Sequence, residues 1–242
     1  ASGAGGHSSS PAIPTPLGRV ARAIARLEAS PLPARLDGAS RAMIDAIAPH
    51  QPYARRIVLA NLELFGPLVV ASLVEKPASA ALVRSTIAPT ILNAGARDNI
   101  VPTQAKATIN LRLLPGDAID DALAAIKSRI DDQAISVTPI DGAFEASMVS
   151  AHDNSVFEAI RRSALETLGT TPPLVVPYLT IGATDARHWS AAGATAVYRF
   201  QPFEYESDAT SRMHGTDERL GRRSFINGIR FYIRLIENAE RI

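Results

Sequence analysis

The chain has 242 residues, 25 Lys plus Arg against 24 Asp plus Glu, no cysteine and 46% apolar residues. That length suits one large or two medium domains; the chain is too apolar to be disordered and too evenly charged for a nucleic-acid footprint or an anionic membrane. The absence of cysteine excludes a disulfide framework, a thiolate metal site and a cysteine nucleophile together.

The chain opens Ala1-Ser2-Gly3-Ala4-Gly5-Gly6-His7-Ser8-Ser9 with neither Met nor a charged-then-apolar leader, which points to a processed product or to missing upstream sequence. After this glycine-rich loop, Pro16 begins a helix with Val20, Ala21, Ile24 and Leu27 at helical spacing, ended by Pro31 and Pro33. Residues 38–84 read as an insertion of several short helices punctuated by Pro49, Pro52, Pro67 and Pro77. The apolar stretch from Ile57 to Leu73 is broken by Asn61, Glu63, Gly66 and Pro67, so a soluble protein without a membrane span is expected.

The period then changes. Residues 86–92 look extended, and 105–113 alternate strictly, with Ala107, Ile109, Leu111 and Leu113 on one side and Lys106, Thr108, Asn110 and Arg112 on the other. Pro115-Gly116-Asp117 is expected to cap a helix with Ile119, Leu123, Ile126 and Ile130 in its core face, and 135–140 to form another strand. Helix, strand, strand, helix, strand describes a two-layer α+β sandwich if one more strand lies at or before residue 1.

A second unit is expected after about residue 146. Asp153 or Asn154 caps a helix closed by Gly169; apolar runs at 174–181 and 194–200 read as buried, parallel-type strands. A closing helix carries Phe225, Ile229, Tyr232, Ile233 and Ile236 on one face.

Candidate chemistry falls on a few polar residues. His50 lies in a turn, His152 beside an N-cap and His188 before Trp189, positions that suit solvated or packed histidines. His7 sits where glycines let a ligand approach the backbone, and His214 in a polar loop that suits a metal ligand. Gly182-Ala183-Thr184-Asp185 follows an expected strand, at the end where α/β sheets place ligand sites. Asn110 and Arg112 project from the polar side of a strand and Asn99 lies on the loop leading into it, so the pair Arg and Asn could bind a carboxylate or polarise a carbonyl.

Taken in order, Gly5-Gly6-His7-Ser8-Ser9, Asp98-Asn99-Ile100-Val101-Pro102, Ile109-Asn110-Leu111-Arg112-Leu113-Leu114-Pro115-Gly116-Asp117, Gly182-Ala183-Thr184-Asp185-Ala186-Arg187-His188, Val197-Tyr198-Arg199-Phe200 and His214-Gly215-Thr216-Asp217-Glu218-Arg219 resemble one family. They resemble the co-catalytic zinc peptidases of the carboxypeptidase S, aminoacylase and N-acyl-amino-acid hydrolase type (peptidase family M20), nearest to the carboxypeptidase S branch. The resemblance implies an α+β, ferredoxin-like lid or dimerisation domain over 1–146, with the helical insertion at about 31–85. It implies that 147–242 form the C-terminal part of an α/β zinc-peptidase catalytic domain, within a homodimer joined through the lid.

By the same resemblance, two zinc ions about 3.5–4 Å apart would activate a hydroxide that attacks an amide next to a free carboxylate, in a small peptide or an N-acyl amino acid. His214 matches a metal ligand, His7 the lid histidine that stabilises the oxyanion, and Asn99, Arg112 and Thr184 the positions that hold the substrate carbonyl and carboxylate. The family's other ligands and its general-base glutamate precede the Gly-Gly-His motif. Since a catalytic zinc needs about three protein ligands, this chain alone should not assemble the centre. Ala183 stands where glycine is usual, and Asp217 where asparagine is usual, which adds a charge beside the metal ligand. The alternatives are a non-catalytic dimerisation or binding remnant and, against the missing nucleophile elbow, a serine hydrolase using Ser8 or Ser9 with His7.

Overall fold

The computed structural model describes residues 1–168, 174–206 and 208–241. It divides into two compact units, Ala1–Met148 and Val149–Ile242.

The first unit contains β1 (Gly6–His7), α1 (Pro16–Ala29), α2 (Gly38–Ile47), α3 (Tyr53–Ala60), α4 (Leu62–Leu73), α5 (Pro77–Ala80), β2 (Thr86–Asn93), β3 (Ile100–Val101), β4 (Lys106–Arg112) and α6 (Ile119–Ile130). Helix α1 starts where the sequence dictates: the Thr15 hydroxyl accepts from the Gly18 amide at 3.0 Å, and Pro16 fills the first turn. Strands β2 and β4 pair antiparallel from Thr86 opposite Arg112 to Asn93 opposite Lys106, with an irregularity between Pro89 and Ile91 where proline has no amide to donate.

The expected alternation of β4 holds. Ile109 and Leu111, with Ile87 of β2, pack on Ala23 and Leu27 of α1 and Ile126 and Ile130 of α6, while Lys106, Asn110 and Arg112 are exposed. Two helices thus cover the apolar face of the strand pair, the α+β layering expected. Arg19 of α1 binds the Asp132 carboxylate at 2.7 Å, fastening α1 to the end of α6. The Ala134 amide, and then Arg19, hold that carboxyl below the usual aspartate range.

The insertion is helical, as expected, around Ile44, Leu62 and Val69. No single helix among the described residues is long and apolar enough to cross a membrane; α3 and α4 reach that hydropathy only as a pair bent by 110°.

Two expectations for this unit are corrected. Asp117 does not cap α6. It accepts from Arg35 at 2.7 Å and from the Ser85 hydroxyl, tying the chain just ahead of α2 to the start of β2. The Ile119 amide is satisfied instead by Glu145 from the following loop, at 3.0 Å. The chain is extended and paired from residue 1 onward: Ala1 exchanges backbone hydrogen bonds with Ala105 at 2.9 and 3.0 Å, Ser2 bridges Gln104, the Gly3 amide donates to Thr103 O at 2.9 Å, and β1 pairs with β3. Residues 135–140 form no strand; Ile135 and Val137 reach the core by packing alone.

The second unit contains α7 (Ser155–Thr167), α8 (Ala186–Ala191), α9 (Ala209–Arg212) and α10 (Arg222–Ala239). Asn154 is the N-cap of α7, accepting from the Phe157 amide at 2.9 Å, whereas the expected closing Gly169 lies outside the described residues. Helices α7 and α10 pack through Ile160, Ala164 and Phe231, with Tyr198 and Phe200 against them. Between the same helices, buried Asn238 donates to the buried Ser163 hydroxyl at 3.0 Å.

The runs 174–181 and 194–200 are not strands. A strand needs a neighbour to complete its ladder, and none lies beside either run among the described residues. The Val197 amide and carbonyl are met by the Ser150 hydroxyl, at 2.9 and 3.0 Å.

The face of α10 is also corrected. Phe225, Ile229, Tyr232, Ile233 and Ile236 are exposed, and the packed stripe is Ser224, Gly228, Phe231, Leu235 and Asn238. The packed stripe carries the small residues that permit close approach. A Cβ on Gly228 would lie 2.6 Å from a ring carbon of Phe203.

Candidate functional site

His7 lies in strand pairing, not in the flexible glycine loop expected. It sits opposite Ile100 in the β1–β3 ladder, and Gly5 is glycine because a Cβ there would meet Thr103 at 2.7 Å and the Val101 carbonyl at 3.0 Å. The Ser8 amide donates to Asn99 O at 3.1 Å, and the Ser10 amide to His7 O at 3.1 Å, closing a turn. His7 and Asn99, far apart in sequence, are therefore neighbours at one exposed edge. The His7 ring is held within its own turn: Nδ1 lies 2.8 Å from the Ser9 hydroxyl and 3.2 Å from the Ser9 amide, which donates to it.

Arg112 is not part of this cluster. It is exposed at the end of β4 opposite Thr86, whereas β3 leads into the other end of the strand at Lys106. Its neighbour in the polar row, Asn110, is likewise exposed.

In the second unit, Thr184 precedes α8 in an exposed turn. Its hydroxyl accepts from the Ala186 amide at 3.3 Å, and the Ala183 methyl beside it is exposed. His214 is exposed with φ of 59°, a left-handed conformation that is uncommon for a residue other than glycine, and its amide donates to Glu218 at 3.2 Å. Asp217 pairs with Arg219, which offsets the added charge beside His214. Arg212, on the same segment, is paired with Glu206 at 2.8 Å and with Asp208.

His152 packs edge-on against Phe157, with ring centroids 6.1 Å apart, and the exposed His188 accepts from Arg187 at 3.3 Å. An open groove of about 500 Å³ on α10, lined by Arg222, Arg223, Ile226, Asn227 and Arg230, contains none of the expected site residues.

Among the described residues, no three His, Asp or Glu side chains are grouped so as to hold a metal ion. The donor set therefore does not fit a zinc centre, which needs three or four ligands in one place. We expect the 242-residue chain, dialysed against zinc and then against buffer, to retain far less than one zinc per chain; stoichiometric retention by elemental analysis would show a complete site.

With this geometry in place, comparison with known proteins is decisive. Residues 1–138 match the peptidase dimerisation domain of the M20 family. The chain belongs to the M20 peptidase family. Among curated M20 relatives it is 34% identical to a probable carboxypeptidase S-like protein from Dictyostelium discoideum, over 98% of this chain and 45% of that protein. It is 32% identical to the N-fatty-acyl-amino acid synthase/hydrolase PM20D1 of Xenopus tropicalis, over 97% of this chain and 46% of that protein. The chain thus spans about half the length of the curated relatives it matches.

An M20 metallo-carboxypeptidase from Sulfolobus solfataricus shares the fold with a TM-score of 0.62 at 17% identity, covering 98% of this chain and 55% of that one. Family membership gives the chain a peptidase dimerisation domain, in a family whose matched relatives include a metallo-carboxypeptidase.

The sequence paired Ser8 or Ser9 with His7 only as nucleophile and base; the Ser9 amide bond to the ring is the contact it did not show. A hydroxyl residue two positions after a histidine in a turn is the signal that could have found it.

Proposed function

We propose that the chain supplies the dimerisation lid (1–146, with the insertion at 31–85) and the last part of the catalytic domain (147–242) of a homodimeric zinc hydrolase. Its substrate is an amide next to a free carboxylate, in a small peptide or an N-acyl amino acid. The observation that supports this reading is the pairing of His7 with Ile100 in the dimerisation domain, with the Ser8 amide bound to the Asn99 carbonyl, which brings the two segments carrying His7 and Asn99 side by side.

An imidazole N–H and a carboxamide N–H are donors that suit the oxygen of a polarised amide, on which negative charge develops during attack. Arg112, exposed on the polar face of β4, offers the forked guanidinium that matches a carboxylate. Thr184 is assigned to substrate by the same motif resemblance. His214 contributes one ligand to a metal site whose other ligands come from polypeptide that the relatives possess and this chain does not span.

The test is to join the chain to the remaining half of such an enzyme and compare an N-acyl amino acid with its carboxyl-amidated counterpart. Hydrolysis of the free acid, with much weaker turnover of the amidated form, is the expected result. No hydrolysis of either, in an assembly that retains two metals per subunit, would overturn the reading. The second reading, a dimerisation or binding module without chemistry, draws on the missing ligand group; it would gain support from a metal-free folded dimer that binds the substrate but never cleaves it.

A further inference from the structure

We propose that Ser9 is a positioning residue that holds His7 in the neutral tautomer with its proton on Nε2. The proposal rests on the reading of His7 as an oxyanion donor, and deepens it. The Ser9 backbone amide lies 3.2 Å from His7 Nδ1 with hydrogen-bond geometry. A backbone N–H donates and never accepts, so Nδ1 must present its lone pair to it. A neutral imidazole with a lone pair on Nδ1 carries its single proton on Nε2.

The Ser9 hydroxyl lies 2.8 Å from the same nitrogen. On its own it would choose nothing, because a hydroxyl donates to a bare Nδ1 and accepts from a protonated one equally well. The amide breaks that symmetry, and the hydroxyl keeps the ring turned so that the amide contact persists. The turn itself is fixed on both sides, by Ser10 N–H to His7 O, by Ser8 N–H to Asn99 O and by the ladder to Ile100. The tautomer therefore follows from the amide contact, which lasts only while the hydroxyl holds the ring against it.

For an oxyanion donor the consequence is direct. The wrong tautomer would present a lone pair where charge develops, and a ring free to exchange tautomers would be competent only part of the time. The same Ser9–His7 distance would also suit a nucleophile and its base. That alternative lacks the third member, since no carboxylate is hydrogen-bonded to the His7 ring among the described residues.

The tautomer is read by long-range proton–nitrogen correlation on the ¹⁵N-labelled 242-residue chain, which requires no catalysis. We expect His7 Nδ1 at the position of an unprotonated ring nitrogen and Nε2 at that of a protonated one. S9A, a change at an exposed site, should relax the ring toward a mixture, and S9T should restore the single form. In the assembled enzyme S9A should lower kcat about fivefold with KM little changed, with S9T again restoring it, as expected for the loss of one ordinary hydrogen bond acting through another group. A proton on Nδ1 in the wild type, or the same tautomer ratio in wild type and S9A, would overturn the proposal. So would covalent labelling of Ser9 by a fluorophosphonate, which would make it a nucleophile. An assembled enzyme that never hydrolyses an amide, beside a wild-type spectrum with the Nε2 proton, would sink the functional reading while leaving the tautomer assignment intact.

Discussion

His7→Ala in the assembled enzyme is expected to lower kcat by about 10²–10³-fold, the usual cost of removing one preorganised donor from an oxyanion site. The reason lies in how the ring is held. His7 is fixed in a ladder with Ile100, and its Nδ1 is engaged by the Ser9 amide and hydroxyl, so Nε2 is left to meet a ligand. KM should change much less than kcat, because the interaction is made to charge that is absent from the ground state. His7→Gln, which keeps a neutral donor on a longer and more flexible arm, should recover part of the loss. Steady-state kinetics with an N-acyl amino acid checks both variants. A rise in KM at unchanged kcat would assign His7 to ground-state binding instead. Metal content should be unaffected, since His7 lies in no group of three potential ligands among the described residues.

How far the site was legible in the sequence depends on which interactions define it. Helix α1 announced itself through Pro16 and its apolar spacing, because a first-turn proline and a helical period are local properties. The alternation of β4 likewise placed Ile109 and Leu111 inward and Arg112 outward before any partner strand was known. The proximity of His7 and Asn99 was not legible, because it depends on a ladder of two residue pairs between segments widely separated in sequence, too short to leave a periodic signature. The runs at 174–181 and 194–200 show the opposite failure. Their composition suits buried strands, yet composition cannot supply the neighbouring strands that a ladder requires. Asp117 illustrates a third kind: its position before α6 suggested a cap, but Arg35 and Ser85, distant in sequence, compete for the same carboxylate and win.

Phe231→Ala is expected to destabilise the second unit by about 3–5 kcal/mol, the range for truncating a buried aromatic side chain when the surroundings cannot collapse into the space. Phe231 is 0% exposed, packs with Ile160 and Ala164, and has the Phe200 ring centroid 4.9 Å from its own. A loss of that size is a large share of the roughly 5–15 kcal/mol that holds a typical domain together, so the unit should melt well before the first one. Urea unfolding followed by fluorescence reads this selectively, because the single tryptophan of the chain is Trp189, within α8 of that unit. The control is Phe225→Ala on the same helix. Phe225 is 53% exposed, so its loss should cost within about 0.5 kcal/mol, as for surface positions generally. Helical periodicity alone ranks the two the other way round, since Phe225 heads the longer apolar stripe of α10. Equal or reversed costs would mean that Phe225 and Ile229, not Phe231 and Asn238, face α7; a small cost at Phe225 beside a large one at Phe231 fixes the orientation of α10.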